Sequence, residues 1–225
     1  MSLVPTASPS IPPIAAKLCL ALLASAAMLQ AGCGMVSNLM HAAGVDMIPA
    51  EFKGLADTNL AVVTVTDSSQ YTDDATAREL SRRVGEVLTK KVKGVTLIRE
   101  DQVEQWRDVN GWDAIDFASI GKGIHAEKVL GIELTDLRLH DGPTLYRGRA
   151  DVVITVIDVA TGKPEYTRRL DEYTFPTVAG QYTSETTETR FRKLYLSMLA
   201  QEIGRSFHSY DMTDRYAIDS AIASQ

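Results

Sequence analysis

Hydrophobic positions along the chain recur at two periods, and the places where the period changes divide it into elements. Leu60-Ala61-Val62-Val63-Thr64-Val65 is a continuous β-branched run closed by Asp67-Ser68-Ser69, the pattern of a buried strand followed by a turn. From Asp74 to Val92 the apolar residues Ala77, Leu80, Val84, Val87, Leu88 and Val92 fall on one helical stripe. Arg78, Glu79, Arg82, Arg83, Glu86, Lys90 and Lys91 are left for solvent, and Gly94 is the stop. Val95-Thr96-Leu97-Ile98 predicts a second strand. Residues 100–108 predict a short helix broken at Asn110-Gly111. Asp113 is placed to cap a further helix running to about Gly123, with Asp116 in the capping-box position.

Leu130, Ile132 and Leu134 then alternate, and the phase slips to Leu137 and Leu139, which predicts a bulge near Asp136. After the Asp141-Gly142 turn, alternation holds from Tyr146 to Val159, with Tyr146, Gly148, Ala150, Val152, Ile154 and Val156 on one side. Thr161-Gly162-Lys163 closes a hairpin, and residues 165–175 return as a charged, more exposed strand. A Thr- and Ser-rich loop at 180–187 leads to a last helix marked by Phe191, Leu194, Tyr195, Met198, Leu199, Ile203 and Phe207. The order β-α-β-α-α-β-β-β-α predicts an α+β fold (α/β in two layers), a mixed sheet of about five strands with helices packed on it.

The first 58 residues follow neither period. An apolar run at residues 18–28 is too short to span a bilayer but suits the h-region of a signal peptide, and Lys17 supplies the charge before it. It is followed by Leu29-Gln30-Ala31-Gly32-Cys33. Small residues directly before a cysteine resemble the lipobox of bacterial lipoproteins, although Gln30 stands where that family prefers an aliphatic residue. The resemblance implies cleavage between Gly32 and Cys33 and diacylation of Cys33. The alternative is ordinary signal-peptide cleavage near Ala31 or Gly32, with Cys33 a bystander thiol. The expected organisation is therefore a leader at 1–32, a lipidated N-terminus and tether at 33–58, a globular periplasmic domain at 59–207 and a tail at 208–225.

Composition narrows the function classes. With 225 residues, 45% hydrophobic and 23% charged, the chain belongs with globular proteins. Its net charge of −6 argues against a nucleic-acid partner. Cys19 lies in the leader, and the lipobox resemblance implies that Cys33 would carry the lipid, in which case no thiol would remain for catalysis.

The candidate chemistry is sparse. Gly121-Lys122-Gly123-Ile124-His125-Ala126 matches a loose G-x-G-x-x-A, but with a helix before it and a strand after, the reverse of a dinucleotide site; a helix C-cap is the reading preferred. His41, His125, His140 and His208 are not at metal-ligand spacing, so no metal and no cofactor are expected. Glu100, Asp101 and Glu104 complement a helix N-terminus. Asp136, His140 and Asp141 are the one acid/base set worth locating in a structure. No catalytic residue is assigned, because nothing assembles a nucleophile with its base.

Three segments resemble the periplasmic domain shared by curli-secretion lipoproteins and the lipoprotein activators of penicillin-binding proteins, to which the amino-terminal domain of the Tol–Pal propeller protein is similar. They are Asn59 to Val65, Ile120 to Gly131, and the strand-turn stretch Val156 to Lys163. The resemblance implies an anticodon-binding-domain-like fold and a non-catalytic role. The expectation is a lipid-anchored, periplasm-facing envelope adaptor for a cell-wall synthase or secretion component. Gly34 after the cysteine leans towards the outer membrane. The alternatives are a subunit of a homo-oligomeric secretion or assembly complex and, less favoured, a hydrolase. Residues 165–175 and 180–187 are the expected contact surfaces.

Overall fold

Asn59–Thr66 forms a strand (β1) whose two faces are both covered, and the sheet grows outward from it. The computed structural model describes residues 47–67, 74–111 and 116–211, and the fold lies in one compact unit, Ile48–Gln225. After β1 come helix α1 (Ala75–Lys91), the two-residue strand β2 (Thr96–Leu97), and helices α2 (Glu100–Asn110) and α3 (Phe117–Gly123). Strands β3 (Lys128–His140), β4 (Leu145–Asp158), β5 (Lys163–Phe175) and β6 (Gln181–Tyr182) then precede helix α4 (Glu188–Arg205). The sheet order is β2-β1-β3-β4-β5, with β6 pairing β4. β1 runs parallel to β2 and β3, and β3, β4 and β5 form an antiparallel meander.

Local chemistry explains the boundaries. The Asp74 carboxylate accepts from the Thr76 N–H and caps α1. Gly94, Gly142 and Gly162 have positive φ at the stop and the two turns expected there. Asp136 is left-handed at φ 52 where the β3–β4 register shifts, so the bulge lies at the residue that the phase slip indicated. α3 begins differently from expectation. Its N-cap is Asp116, which accepts from Ala118 and Ser119, rather than Asp113, which lies outside the described residues.

The main core sits between the sheet and α1 plus α4. Leu60, Leu130, Ile132, Leu134 and the predicted β4 face (Tyr146, Ala150, Val152, Ile154, Val156) meet Leu80, Val84, Leu88, Phe191, Tyr195 and Leu199. Gly148 belongs to that face, since a Cβ there would lie 2.0 Å from the Tyr195 ring. In addition, α2 and α3 cover one end of the opposite face, where Ala61, Val63, Val65 and Val129 pack on Val103, Phe117 and Ile120. β1 therefore reads as continuously apolar because both of its faces are buried.

The folded region begins earlier than residue 59. Leu55 is 1% exposed within the main core, and Phe52 stacks on Tyr166 with centroids 5.4 Å apart and meets Phe207 edge-on. The Phe52 N–H donates to the Ser206 carbonyl at 2.9 Å. Within residues 51–58, expected in the tether, Leu55 is buried and Phe52 half-buried against the core, while Glu51, Lys53, Gly54, Ala56 and Asp57 stay exposed. Residues 1–46 of the leader and tether, with Gly32 and Cys33, lie outside the described residues, as does the tail beyond 211.

Candidate functional site

Two segments separate in sequence meet on one flank of the sheet. β5 pairs with β4 from Gly148↔Phe175 to Asp158↔Lys163, and the sheet path ends with it. Tyr146 of β4 is paired both with His140 of β3 and with Gln181 of β6. β6 must therefore lie opposite β3, on the same side as β5. The expected strand at 165–175 and the expected loop at 180–187 thus form one continuous edge, and the loop contributes a short strand of its own. Val178 between them is 77% exposed and Tyr182 of β6 57% exposed, two of the large apolar side chains left in solvent. The Arg147 guanidinium donates to the Thr177 carbonyl at 2.9 Å and holds the connection.

The edge is anchored from behind. Arg168 of β5 donates to Ser206 Oγ at 2.9 Å and to Glu202 Oε1 at 2.9 Å, and Glu202 also accepts from Arg205 at 2.8 Å. The Tyr166 hydroxyl donates to Glu51 Oε2 at 2.6 Å. Burial, together with that carboxylate, pushes the Tyr166 phenol up to about 12. Tyr195 donates to the Tyr173 carbonyl at 3.0 Å, and burial raises its pKa. Tyr166 and Arg168, alternate residues of β5, are thereby tied to Glu51 and to the C-terminal end of α4, while Thr167, Arg169 and Asp171 face solvent. Exposed charges on such a strand blunt indiscriminate pairing while leaving its outer backbone groups open to a specific strand.

The structure gathers Asp136, His140 and Asp141 around a separate cavity of about 520 Å³. Each is already engaged. Asp136 accepts from Arg138 at 2.9 and 2.8 Å, and Asp141 lies 3.6 Å from Arg147 and 3.5 Å from Arg149. His140 contacts Glu188 at 3.3 Å and packs its ring against Tyr146. The His140 contact holds the Glu188 carboxyl below its usual range. Among the described residues no Ser, Thr or Cys lines that cavity, and what they offer there is a carboxylate-arginine cluster.

The glycine string also finds a packing role. It ends a helix rather than opening one, with Ile124 as C-cap and His125 at φ 58. A Cβ on Gly121 would meet Val129 and Val159, and one on Gly123 would meet Trp106. Glu100 and Asp101 occupy the first turn of α2, while Glu104 reaches Arg78 at 3.7 Å. Among the described residues no cluster of His, Cys, Asp and Glu is arranged to hold a metal, and no helix is long and apolar enough to cross a membrane.

Sequence reasoning named both edge segments but missed Glu51, Phe52, Arg147 and Glu188. The spacing of Ile48, Phe52 and Leu55, four and three apart, was the available signal for the second of these. Arg147 and Glu188 act across the sheet and carry no local pattern.

No family model matches the chain, and no curated protein matches it. Among solved structures it is similar to bacterial lipoproteins. The PelC dodecamer from Paraburkholderia phytofirmans is 15% identical, with 72% of this chain and 95% of that one covered and a TM-score of 0.40. Lipoprotein GNA1162 from Neisseria meningitidis is 12% identical over 64% and 96%, with a TM-score of 0.42. The LpoB C-terminal domain from Escherichia coli is 15% identical over 51% and 82%, with a TM-score of 0.34. At these identities and overlaps none of them assigns a residue, a partner or an assembly to this chain.

Proposed function

We propose that this chain is an envelope lipoprotein, cleaved behind Gly32 and diacylated at Cys33, whose folded unit is a non-catalytic adaptor docking a cell-envelope protein, such as a cell-wall synthase or secretion component. The observation that carries the docking role is the single edge made by β5 and β6, with Val178 and Tyr182 exposed beside it. An apolar pair within a charged strand edge suits a partner that adds a strand and seats side chains at its end. The anchor rests on the sequence of h-region, small residues and cysteine. Two acyl chains give stable attachment without a spanning helix. The compact unit begins at Ile48, so the chain from Cys33 to Ile48 spans at most about 50 Å when fully extended. Gly34 after the cysteine favours the outer membrane over the inner.

In-cell crosslinking of the tagged full-length protein, followed by identification of what copurifies, tests this reading. A cell-wall synthase or secretion component should be captured with the wild type, and capture should fall when Cys33→Ala removes the anchor. A paired Val178→Ser, Tyr182→Ser variant, or alanine blocks through 165–187, should lose the partner while the membrane placement persists. Undiminished capture by the edge variants would overturn the docking assignment. Recovery of the protein alone at high native mass would instead make it a subunit of a homo-oligomeric assembly.

A further inference from the structure

A cavity of about 400 Å³ lies between the C-terminal half of α2 and the end of α3, remote in sequence from the β5–β6 edge. Among the described residues its lining contains no Asp, Glu, Lys or Arg, whereas the three other cavities described are each bordered by several charged residues. In a chain that is 23% charged, a neutral concave surface selects against ionic ligands. Charged groups entering it would shed water without gaining a partner.

What the lining offers is an apolar platform ringed by amides. Trp106 is half-buried, Val109 is 80% exposed, and Ile124 forms the wall beside them. Gly123 lets the indole sit close, because an ideal Cβ there would lie 1.9 Å from Trp106 Nε1. The ring is thus wedged in place before any ligand arrives, which lowers the ordering cost of binding. Around it, the Gln102, Gln105 and His125 side chains make no hydrogen bond to any of the described residues. Asn110 donates one amide hydrogen to the Trp106 carbonyl at 2.8 Å and keeps its oxygen as an acceptor. Paired donor and acceptor groups beside an aromatic face match a ligand with an apolar C–H face and a rim of hydroxyls.

We propose that this cavity binds a neutral pyranose unit of a glycan. Stacking of the sugar's C–H face on Trp106 would supply the apolar contact, and Gln102, Gln105, Asn110 and His125 would exchange hydrogen bonds with its hydroxyl or acetamido groups. An anionic or cationic sugar would be disfavoured by the absence of a counter-charge. The site lies away from β5 and β6, so it stands independently of the protein-docking role. It would give the adaptor a second, carbohydrate contact within the envelope.

The test is a titration of the full-length protein in detergent with chitotriose, with maltotriose and a glucosamine oligomer in parallel, followed by the amide and indole signals in a proton–nitrogen correlation spectrum. The Trp106 indole signal is assigned with a Trp106→Phe variant. Saturable shifts of that signal and of the Gln102, Gln105 and Asn110 side-chain amides are expected for a neutral oligomer. Its dissociation constant should lie in the range of about a millimolar that a small, exposed site supports. Gln105→Ala, on the exposed face of α2, should weaken binding about fivefold without altering the rest of the spectrum. Chitotriose and maltotriose distinguish an acetamido-bearing glycan from a plain glucan. Absence of shifts with both neutral oligomers, equal or stronger shifts with the cationic one, or full affinity in Gln105→Ala and Trp106→Ala together would overturn the assignment. A Trp106→Ala variant that fails to fold leaves the Gln105 and Trp106→Phe arms to decide.

Discussion

Leu55→Ala tests where the folded unit begins. The side chain is 1% exposed and belongs to the core cluster that includes Leu60, Leu88, Val92 and Val95. Its carbonyl also accepts the Thr58 hydroxyl at 2.8 Å, which fixes the turn into β1. Truncation removes three carbons at about 0.8 kcal/mol each and leaves a void that surrounding β-branched side chains fill poorly, for a total of about 3 kcal/mol. Urea unfolding of the full-length chain, followed by circular dichroism, reads this directly. With a slope of about 2 kcal/mol per molar, the midpoint should fall by about 1.5 M. Lys53→Ala, two residues earlier and exposed, should change stability by less than about 0.5 kcal/mol and serves as the control. If Leu55→Ala behaved like Lys53→Ala, residues 51–58 would be a tether after all, and the packing of Phe52 on Tyr166 would be incidental.

Gly148→Ala should destabilise the protein by about 1–3 kcal/mol, because the added methyl meets the fully buried Tyr195 ring, which has no free volume to retreat into; thermal unfolding would show it. Asp116→Ala removes the cap of α3, in which the carboxylate accepts from the Ala118 and Ser119 N–H groups at 3.0 and 3.3 Å, and should cost about 1 kcal/mol at neutral pH. The Ser119 hydroxyl holds the Asp116 carboxyl below its ordinary value. A depressed folded-state value means the stabilisation is complete above the ordinary 3.8 and disappears as the pH falls through the lower one. The difference between wild type and Asp116→Ala in urea should therefore shrink at acid pH; a difference that grew would contradict the assignment.

How much of this was legible in the sequence depends on how local each feature is. The β4 face was readable residue by residue, since alternation from Tyr146 to Val156 is a direct image of one buried side. The bulge at Asp136 was readable for the same reason, as a slip in that alternation. The α3 cap was misplaced by three residues because Asp113 and Asp116 carry the same chemistry and only geometry separates them. β6 is two residues long and made by pairing with Leu145 and Tyr146, which no periodicity can announce. The edge segments were identified by exposure and charge, yet their union on one flank follows from strand order. Asp136, His140 and Asp141 do share a cavity, but the arginines and Glu188 that engage them come from β3, β4 and α4.

The sheet also sets an order of events for a chain that emerges from its amino terminus. β3, β4 and β5 are neighbours in sequence and close by tight turns, so their pairing needs little loop closure. β1 is different: apart from the two residues of β2, its ladder partner is β3, where Leu60 meets Lys128 about 68 residues later. Until then α1 and α2 can cover parts of its two faces, but the backbone edge that will face β3 has no partner. Asn59–Thr66, second from the sheet edge, therefore keeps one backbone edge open until Leu134 has emerged, and that edge is what a holding chaperone would have to shield.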